Sequence, residues 1–257
     1  MLHDGSSLRT SALRVAALIR HNLLLRRRDP ANLIAYMIMP VILMWLTKPL
    51  LTRLMPGGGT VQDVTGPLVF SSTLALQIVG MSLLSERTWR TWDMLRATPA
   101  AAAELLIGKA VPVLAVLLLQ QAVVIGYGVG VAGLSVTGPP FLLLLAMLVW
   151  STTLLAAGSL LATLVRSHGQ LAVLTDTGAI VLSTLGGALL PVSMMPTIAQ
   201  HVAPASPGYW AISMLKAAIP GDAAGTLGPA AILSAITVVA GTIACLRLHR
   251  GLAQLRS

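Results

Sequence analysis

Six long apolar stretches run through this 257-residue chain and limit what it can fold into. A helix needs about 20 mainly apolar residues to cross the roughly 30 Å hydrocarbon layer of a bilayer. Because 56% of the residues are hydrophobic and only 10% are charged, an ordinary soluble domain is excluded. We therefore predict an all-α integral membrane protein. Residues 1–257 form one transmembrane domain, with six spans at 33–51, 67–84, 110–134, 141–165, 171–192 and 227–246.

The basic residues fall mainly on one side of these predicted spans. If the N-terminus is cytoplasmic, 14 of the 17 lysines and arginines lie inside, and only Lys48, Arg53 and Lys216 lie outside. Cytoplasmic loops carry such an excess of Lys and Arg. We therefore predict a multi-pass protein of a bacterial cell (inner) membrane with both termini cytoplasmic. Topology then accounts for the net charge of +9 without a nucleic-acid partner.

Residues 1–28 precede the first span and show helical periodicity. An apolar stripe recurs at helical spacing, and it is formed by Leu8, Ala12, Val15, Ile19 and Leu23. Basic residues such as Arg9 and Arg20 fall away from that stripe. This pattern predicts an amphipathic helix lying in the inner headgroup layer. A soluble helix packed on a partner is the alternative.

The segment between the fifth and sixth spans is apolar but interrupted by proline. Within residues 193–220, proline occurs at Pro196, Pro204, Pro207 and Pro220. Proline removes an amide donor and clashes with the preceding helical turn, so no single long helix fits here. We predict an extracellular re-entrant hairpin of short helices before the last span, with its broken backbone buried in protein.

The loop between the second and third spans concentrates charge and tryptophan. Its sequence from Ser85 to Pro99 is SERTWRTWDMLRATP, and it carries Trp89 and Trp92 three residues apart. Tryptophan surrounded by arginine is typical of a protein contact site. The residues alone leave an interfacial aromatic belt as an equally open alternative.

This loop carries a resemblance to a known family. The order Glu86-Arg87-x-x-x-Thr91-x-x-x-Leu95-x-x-Thr98-Pro99, followed by Glu104-Leu105-Leu106-x-Gly108-Lys109, resembles the signature of type 2 ABC exporter permeases. A later stretch is similar to the outer re-entrant hairpin of the same family, in Gly186-Gly187, Leu190-Pro191, Met195-Pro196 and Pro207-x-Tyr209. With the predicted spans and termini, the resemblance covers nearly the whole chain.

The resemblance implies that residues 86–98 form a coupling helix that docks in a cytoplasmic ABC ATPase subunit. The implied interface residues are Glu86, Arg87, Trp89, Arg90, Thr91, Trp92, Asp93, Leu95, Thr98 and Pro99. It also implies two permease chains, as a homodimer or a heterodimer, assembled among membrane lipids with two copies of the ATPase. Substrate would pass between the first and fifth spans of the two halves.

Nucleotide binding is expected in the partner and not in this chain. The chain has no G-x-x-x-x-G-K-[ST] sequence, and its Gly108-Lys109 pair is followed by alanine. We therefore expect ATP and Mg to be bound by the ATPase subunit, with no cofactor, metal or catalytic residue in the permease. The five histidines are scattered, and the single Cys245 excludes an intrachain disulfide.

A few polar and aromatic residues inside the spans suggest a substrate pathway. Asp176 is predicted to be the only acidic residue well within a span, where a carboxylate costs about 2.5–3.5 kcal/mol at the bilayer centre. It either has a structural role beside Thr175 and Thr177 or belongs to a substrate vestibule. The possible pathway residues are Tyr36, Trp45 and Asp176. Gln77, Gln120 and Gln121 are predicted as hydrogen-bond partners between helices.

The cargo is predicted from the composition of the spans. The chain has only ten aromatic residues, so a wall suited to stacking sugar rings is not expected. We predict efflux of an amphipathic drug, natural product or lipid, with polysaccharide or glycolipid export as the alternative. A membrane-embedded lipid-modifying enzyme is the alternative of another class, although no convergent catalytic set is visible. A proton-driven transporter would depend on Asp176 alone.

Overall fold

The computed structural model describes residues 16, 19–20, 30–74, 76–88 and 102–254. All regular secondary structure in these residues is helical, which confirms the predicted all-α class. The long helices are α1 (Pro30–Leu54), α2 (Gly59–Leu74), α3 (Leu76–Thr88), α4 (Ala102–Tyr127), α5 (Pro140–Leu164), α6 (His168–Leu185) and α9 (Ala223–Gln254). Between α6 and α9 lie the shorter α7 (Thr197–Val202) and α8 (Pro207–Ala218). A π-helical turn extends α4 over Gly128–Ala132.

Five of the described helical stretches are long and apolar enough to cross a membrane. They are Ile34–Leu54, Gly59–Ser82, Ala110–Ala132, Pro140–Leu164 and Ala223–Arg247. Four of the six predicted spans begin close to the first residue of one of these stretches. The prediction of several membrane-crossing helices is therefore confirmed. The remaining predicted span, 171–192, is not among the five, so the count of six spans stays a prediction.

The fifth predicted span corresponds to a shorter helix than the sequence suggested. Helix α6 ends at Leu185 because the chain turns at Gly187, whose φ of 92° is left-handed. A Cβ on Gly186 would lie 2.6 Å from the backbone nitrogen of Tyr209, so the following segment packs directly on this turn. The predicted extension of the helix to Val192 is therefore wrong.

The second predicted span begins too late in the sequence. We placed its start at Pro67, whereas α2 begins at Gly59, eight residues earlier. The polar side chains of Gln62 and Asp63, which precede the predicted span, are fully buried in the helix. Because their hydrogen-bond partners lie on other segments, they can be accommodated inside the bundle.

The connections between helices define two ends of the bundle. Residues 55–58 join α1 to α2 at one end, which we call the turn end. The opposite end, where α3 stops at Thr88 and α4 starts at Ala102, we call the loop end. Short connections reverse the chain between α5 and α6 and between α8 and α9, so α1 begins and α9 finishes at the loop end.

Helix α2 is the central helix of the bundle. Twelve of its 16 residues are buried, and it contacts α1, α4, α6 and α8. A Cβ on Gly66 would meet the carbonyl oxygen of Ala188, so the backbone beyond α6 touches α2 directly at this glycine. The indole Nε1 of Trp150 on α5 donates to the Ser72 hydroxyl oxygen at 2.8 Å. These contacts pack the polar face of α2 against other helices and away from lipid.

The segment predicted as a re-entrant hairpin is helical and lies at the turn end. It comprises a 3₁₀ turn at Val192–Met194, then α7, a second 3₁₀ turn at Ala203–Ala205, and α8. The Ser206 hydroxyl caps α8 by accepting a hydrogen bond from the Gly208 amide at 3.1 Å. Whether these helices re-enter the membrane stays a prediction.

The predicted N-terminal amphipathic helix lies mostly outside the described residues. Ala16, Ile19 and Arg20 are described, and all three are helical. Ile19 is partly buried and Arg20 is exposed, as the predicted stripe requires. The interfacial position of residues 1–28 remains a prediction.

Candidate functional site

The predicted coupling segment joins the two helices that meet at the loop end. The described backbone of α3 includes Glu86 and Arg87 in its last turn. The other eight predicted interface residues lie outside the described part of the chain: Trp89, Arg90, Thr91, Trp92, Asp93, Leu95, Thr98 and Pro99. The interface with the ATPase therefore stays a prediction, and the structure defines the helices that flank it.

Two of the predicted pathway residues lie on opposite faces of α1. Tyr36 directs its hydroxyl into the bundle, where this oxygen is buried without a hydrogen-bond partner. Trp45 is 72% exposed. The two residues are nine positions apart, which corresponds to about two and a half helical turns, so they cannot line one surface together. Only Trp45 is on the face that this chain leaves uncovered.

Asp176, the third predicted pathway residue, is exposed on α6. Its neighbour Thr175 is fully buried and donates its hydroxyl to the Leu171 carbonyl oxygen at 2.9 Å. The exposed face of α6 also carries Val173, Ile180 and Val181. Asp176 therefore projects from an apolar surface that the rest of the chain does not cover.

A different acid is buried among the spans, and our prediction that Asp176 would be the only one there is wrong. Asp63 lies in the candidate span Gly59–Ser82 and is 0% exposed. Its Oδ1 is 2.6 Å from the hydroxyl oxygen of Thr47 on α1. The adjacent Lys48 instead donates to the carbonyl oxygen of Val131, in the π-helical turn, at 3.4 Å. Sequence analysis missed this group of contacts at the turn end.

The sequence did contain a signal for the missed part of α2. Val61, Val64 and Leu68 recur at positions i, i+3 and i+7, which is the spacing of one helical face. Three glycines precede these residues and an acid stands at position 63, which lowers the hydropathy of this stretch. In the structure these apolar residues pack in the core, and Gln62 donates to the Gly187 carbonyl oxygen.

Two glutamines of α4 link helices, as predicted. Pro40 has no amide hydrogen, so the Tyr36 carbonyl oxygen loses its usual partner within α1. The Gln120 side chain donates its Nε2 to that oxygen at 3.4 Å. Gln121 donates its Nε2 to the Ser151 hydroxyl oxygen on α5 at 2.7 Å. Both side chains are buried, and these contacts confirm their role between helices.

An open groove lies where α5 turns into α6 at the loop end. Its volume is about 470 Å³, and its lining is mostly apolar, from Leu164, Val165, Gly169, Gln170, Val173 and Leu174. Arg166 lies in the turn beside it and is exposed. Within the described residues, no group of three or more His, Cys, Asp or Glu side chains is arranged to hold a metal ion.

Fold and contacts together define a polytopic helical membrane protein, with polar side chains bonded between its helices and apolar faces on α1 and α6. A family model described as ABC-2 type transporter matches residues 14–219, which is most of the chain. The chain belongs to this family and is the permease component of an ABC transporter. The resemblance to ABC exporter permeases is therefore confirmed at the level of the family. Members of this family are the membrane components of transporters and associate with an ABC ATPase subunit. No curated protein sequence matches the chain.

Proposed function

We propose that this permease subunit exports an amphipathic drug, natural product or lipid, driven by ATP hydrolysis in a separate subunit. The observation that carries the proposal is the family match over residues 14–219. It is supported by the position of the predicted coupling segment, whose flanking helices α3 and α4 meet at the loop end. Force applied there by an ATPase would act directly on α4 and, through α3, on the central helix.

The exposed faces of α1 and α6 support an assembly of two permease chains. On α1, large apolar side chains that this chain leaves exposed include Ile42, Trp45 and Leu46. The equivalent face of α6 carries Val173, Ile180 and Val181 around Asp176. In the assembly that we propose, these faces of two chains, identical or sister subunits, enclose the route of the cargo. Two ATPase copies complete the complex.

The chemistry of these faces favours an amphipathic cargo. Aliphatic side chains provide most of the surface, and Asp176 places one carboxyl group within it. An acid on a membrane helix is costly when it faces lipid, so the interior of a complex suits it better. A sugar polymer would favour a route lined by aromatic rings, and among the exposed large apolar residues of α1 and α6 only Trp45 is aromatic.

We propose that the loop end is cytoplasmic in a bacterial cell membrane. Arg166 lies at this end, and Lys48 and Arg53 lie toward the turn end of α1. The excess of basic residues in the connecting segments of the loop end supports this orientation. Cargo would then leave at the turn end, where α8 packs against α2.

The direct test is reconstitution of the full permease with its ABC ATPase in liposomes. We expect the two to co-purify, and we expect a fluorescent amphiphile to be moved only when ATP is hydrolysed. An ATPase variant that binds but cannot hydrolyse ATP is the control. Transport by the permease without the ATPase, or chemical conversion of a lipid by the permease alone, would overturn the proposal. The latter result would favour a membrane-embedded enzyme.

A further inference from the structure

The groove at the α5–α6 turn combines an apolar lining with a positive charge beside it. Leu164 is the last residue of the candidate span Pro140–Leu164, so the groove lies at the end of a helix that can cross the hydrocarbon layer. Arg166 follows two residues later and is exposed. The groove volume of about 470 Å³ is within the roughly 300–1,000 Å³ that is typical of ligand pockets. Its position and composition therefore suit a molecule with one apolar part and one charged end.

The lining of the groove extends from the turn along α6. Val173 and Leu174 lie about 7–9 Å along the helix from its start at His168. They are 65% and 49% exposed, so the chain itself leaves this part of the lining uncovered. Val165 is buried in the same apolar cluster as Leu171, and it gives the groove a packed base. The groove is therefore present before any ligand binds, and it faces the level at which lipid chains surround the helices.

The polar groups of the turn leave hydrogen-bond donors for a ligand. The backbone amide of Arg166 donates to Gln170 Oε1 at 3.0 Å, and the Gln170 amide donates to Ser167 Oγ at 3.2 Å. These two bonds hold the turn without using the guanidinium of Arg166. In the part of the chain that the structure describes, no carboxylate forms an ion pair with Arg166. The guanidinium and the Nε2 hydrogens of Gln170 can therefore donate to the oxygen atoms of a ligand.

We propose that this groove binds one anionic phospholipid of the surrounding bilayer as a resident ligand. The phosphate lies against Arg166, and one acyl chain follows Val173 and Leu174. A guanidinium binds a phosphate through two parallel N–H···O bonds, which makes arginine well suited to such a headgroup. A basic side chain near the membrane surface favours an anionic lipid over a neutral one by about fivefold.

Charge distinguishes the lipid from other occupants of the groove. On the predicted topology, the side of the membrane that holds Arg166 carries 14 of the 17 lysines and arginines. A basic helix, such as the one predicted for residues 1–28, would meet like charge at Arg166, and so would a cationic cargo. An anionic headgroup is attracted instead, and lipid is abundant at this depth. The lipid site does not depend on ATP-driven export, and only its leaflet rests on the proposed orientation.

The test is photo-labelling of the full permease, without the ATPase, in lipid nanodiscs. The probes are phosphatidylglycerol and phosphatidylcholine with the same photoreactive acyl chain, and the labelled residues are mapped by mass spectrometry. We expect the anionic probe to label Leu164, Val173 and Leu174 about fivefold more than the neutral probe does. Equal labelling by the two probes, or no label at these three residues, would overturn the proposal.

Substitutions separate a lipid site from general lipid contact. Arg166→Gln should reduce labelling by phosphatidylglycerol to the level of phosphatidylcholine, whereas Arg166→Lys keeps the charge and should keep part of the preference. Val173→Trp fills the groove and should reduce labelling of Leu174 by both probes. Arg247→Gln is the matched control, because Arg247 is an exposed arginine on α9 at the same end of the bundle. A loss in Arg247→Gln equal to that in Arg166→Gln would contradict the site.

Reconstitution with the ATPase distinguishes a resident lipid from a cargo. We expect phosphatidylglycerol to stay in its leaflet while ATP is hydrolysed, and its ATP-dependent transfer to the other leaflet would overturn its assignment as a resident ligand. Because the labelling is measured without the ATPase, a failure of the lipid site leaves the export proposal intact. A failure of export likewise leaves the labelling result unchanged.

Discussion

The Gln62 side chain donates its Nε2 hydrogen to the carbonyl oxygen of Gly187 at 2.7 Å, across 125 positions of sequence. This bond joins the central helix α2 to the turn that ends α6. Gln62 is fully buried, so removal of its amide leaves a buried carbonyl oxygen without that donor. An unsatisfied buried group of this kind costs about 1–3 kcal/mol.

We therefore expect Gln62→Leu to lower the stability of the purified permease by about 1–3 kcal/mol. The measurement is the free energy of unfolding in mixed detergent micelles, followed by circular dichroism. Gln200→Leu is the matched control, because Gln200 makes a similar bond to the Met195 carbonyl oxygen at 2.8 Å but is exposed. Equal effects of the two substitutions would contradict a special role for Gln62.

The close approach at Gly66 gives a second prediction. A Cβ at this position meets the backbone oxygen of Ala188, which cannot rotate away. Gly66→Ala therefore forces α2 away from the turn that follows α6. We expect a loss of about 1–3 kcal/mol, as for other overpacked sites. Gly126→Ala on α4 is the control, because its Cβ meets nothing within 4 Å. Alanine is favoured over glycine in a helix by roughly 0.5–1 kcal/mol, so the control should be neutral or more stable.

The exposed carboxyl group of Asp176 gives a prediction about cargo. If this acid lines the route, a cationic amphiphile gains an attraction that a neutral one of similar size lacks. We expect Asp176→Asn to reduce ATP-dependent transport of the cationic compound several-fold more than that of the neutral compound, measured in the same liposomes. Asp222→Asn controls for loss of one negative charge. A uniform effect on both compounds would assign Asp176 a structural role.

The coupling segment gives a prediction about assembly. Arg90 lies in the predicted interface with the ATPase, and reversal of its charge places a like charge against any acid that it meets there. We expect Arg90→Glu to weaken association with the ATPase by about tenfold, which corresponds to about 1.4 kcal/mol. Binding is measured by co-purification and by ATP hydrolysis in the complex. Arg166→Glu, in the α5–α6 turn, serves as the charge-matched control, and unchanged binding in Arg90→Glu would remove Arg90 from the interface.

The sequence predicted those helices whose limits are marked locally. For α5, the prediction of 141–165 differs by one residue at each end from Pro140–Leu164, because prolines precede the apolar run and a polar segment follows it. The last helix was predicted as 227–246, but α9 continues to Gln254. Hydropathy locates the part of a helix that can lie in lipid. It does not show where the helix ends when the helix continues beyond the apolar run.

The contacts at the turn end could not be predicted from any local window. Gln62 and Asp63 lowered the hydropathy of α2, and the partners that make them acceptable lie on other segments. The Gly187 carbonyl is 125 residues away, and Thr47 belongs to the preceding helix. A polar residue in a membrane helix is stable only when its partner is present. For this reason the sequence analysis identified Asp176 as the acid within a span and did not identify the buried Asp63.

The four-residue connection between α1 and α2 has a consequence for biogenesis. Thr47 and Asp63 are 16 positions apart, so a nascent hairpin already contains both sides of their contact. Gln62 must wait until Gly187 has been synthesised before it reaches its acceptor. Membrane insertion of this chain therefore begins with a pair of helices whose acid is shielded early, while the neighbouring amide stays unsatisfied until the second half of the polypeptide arrives.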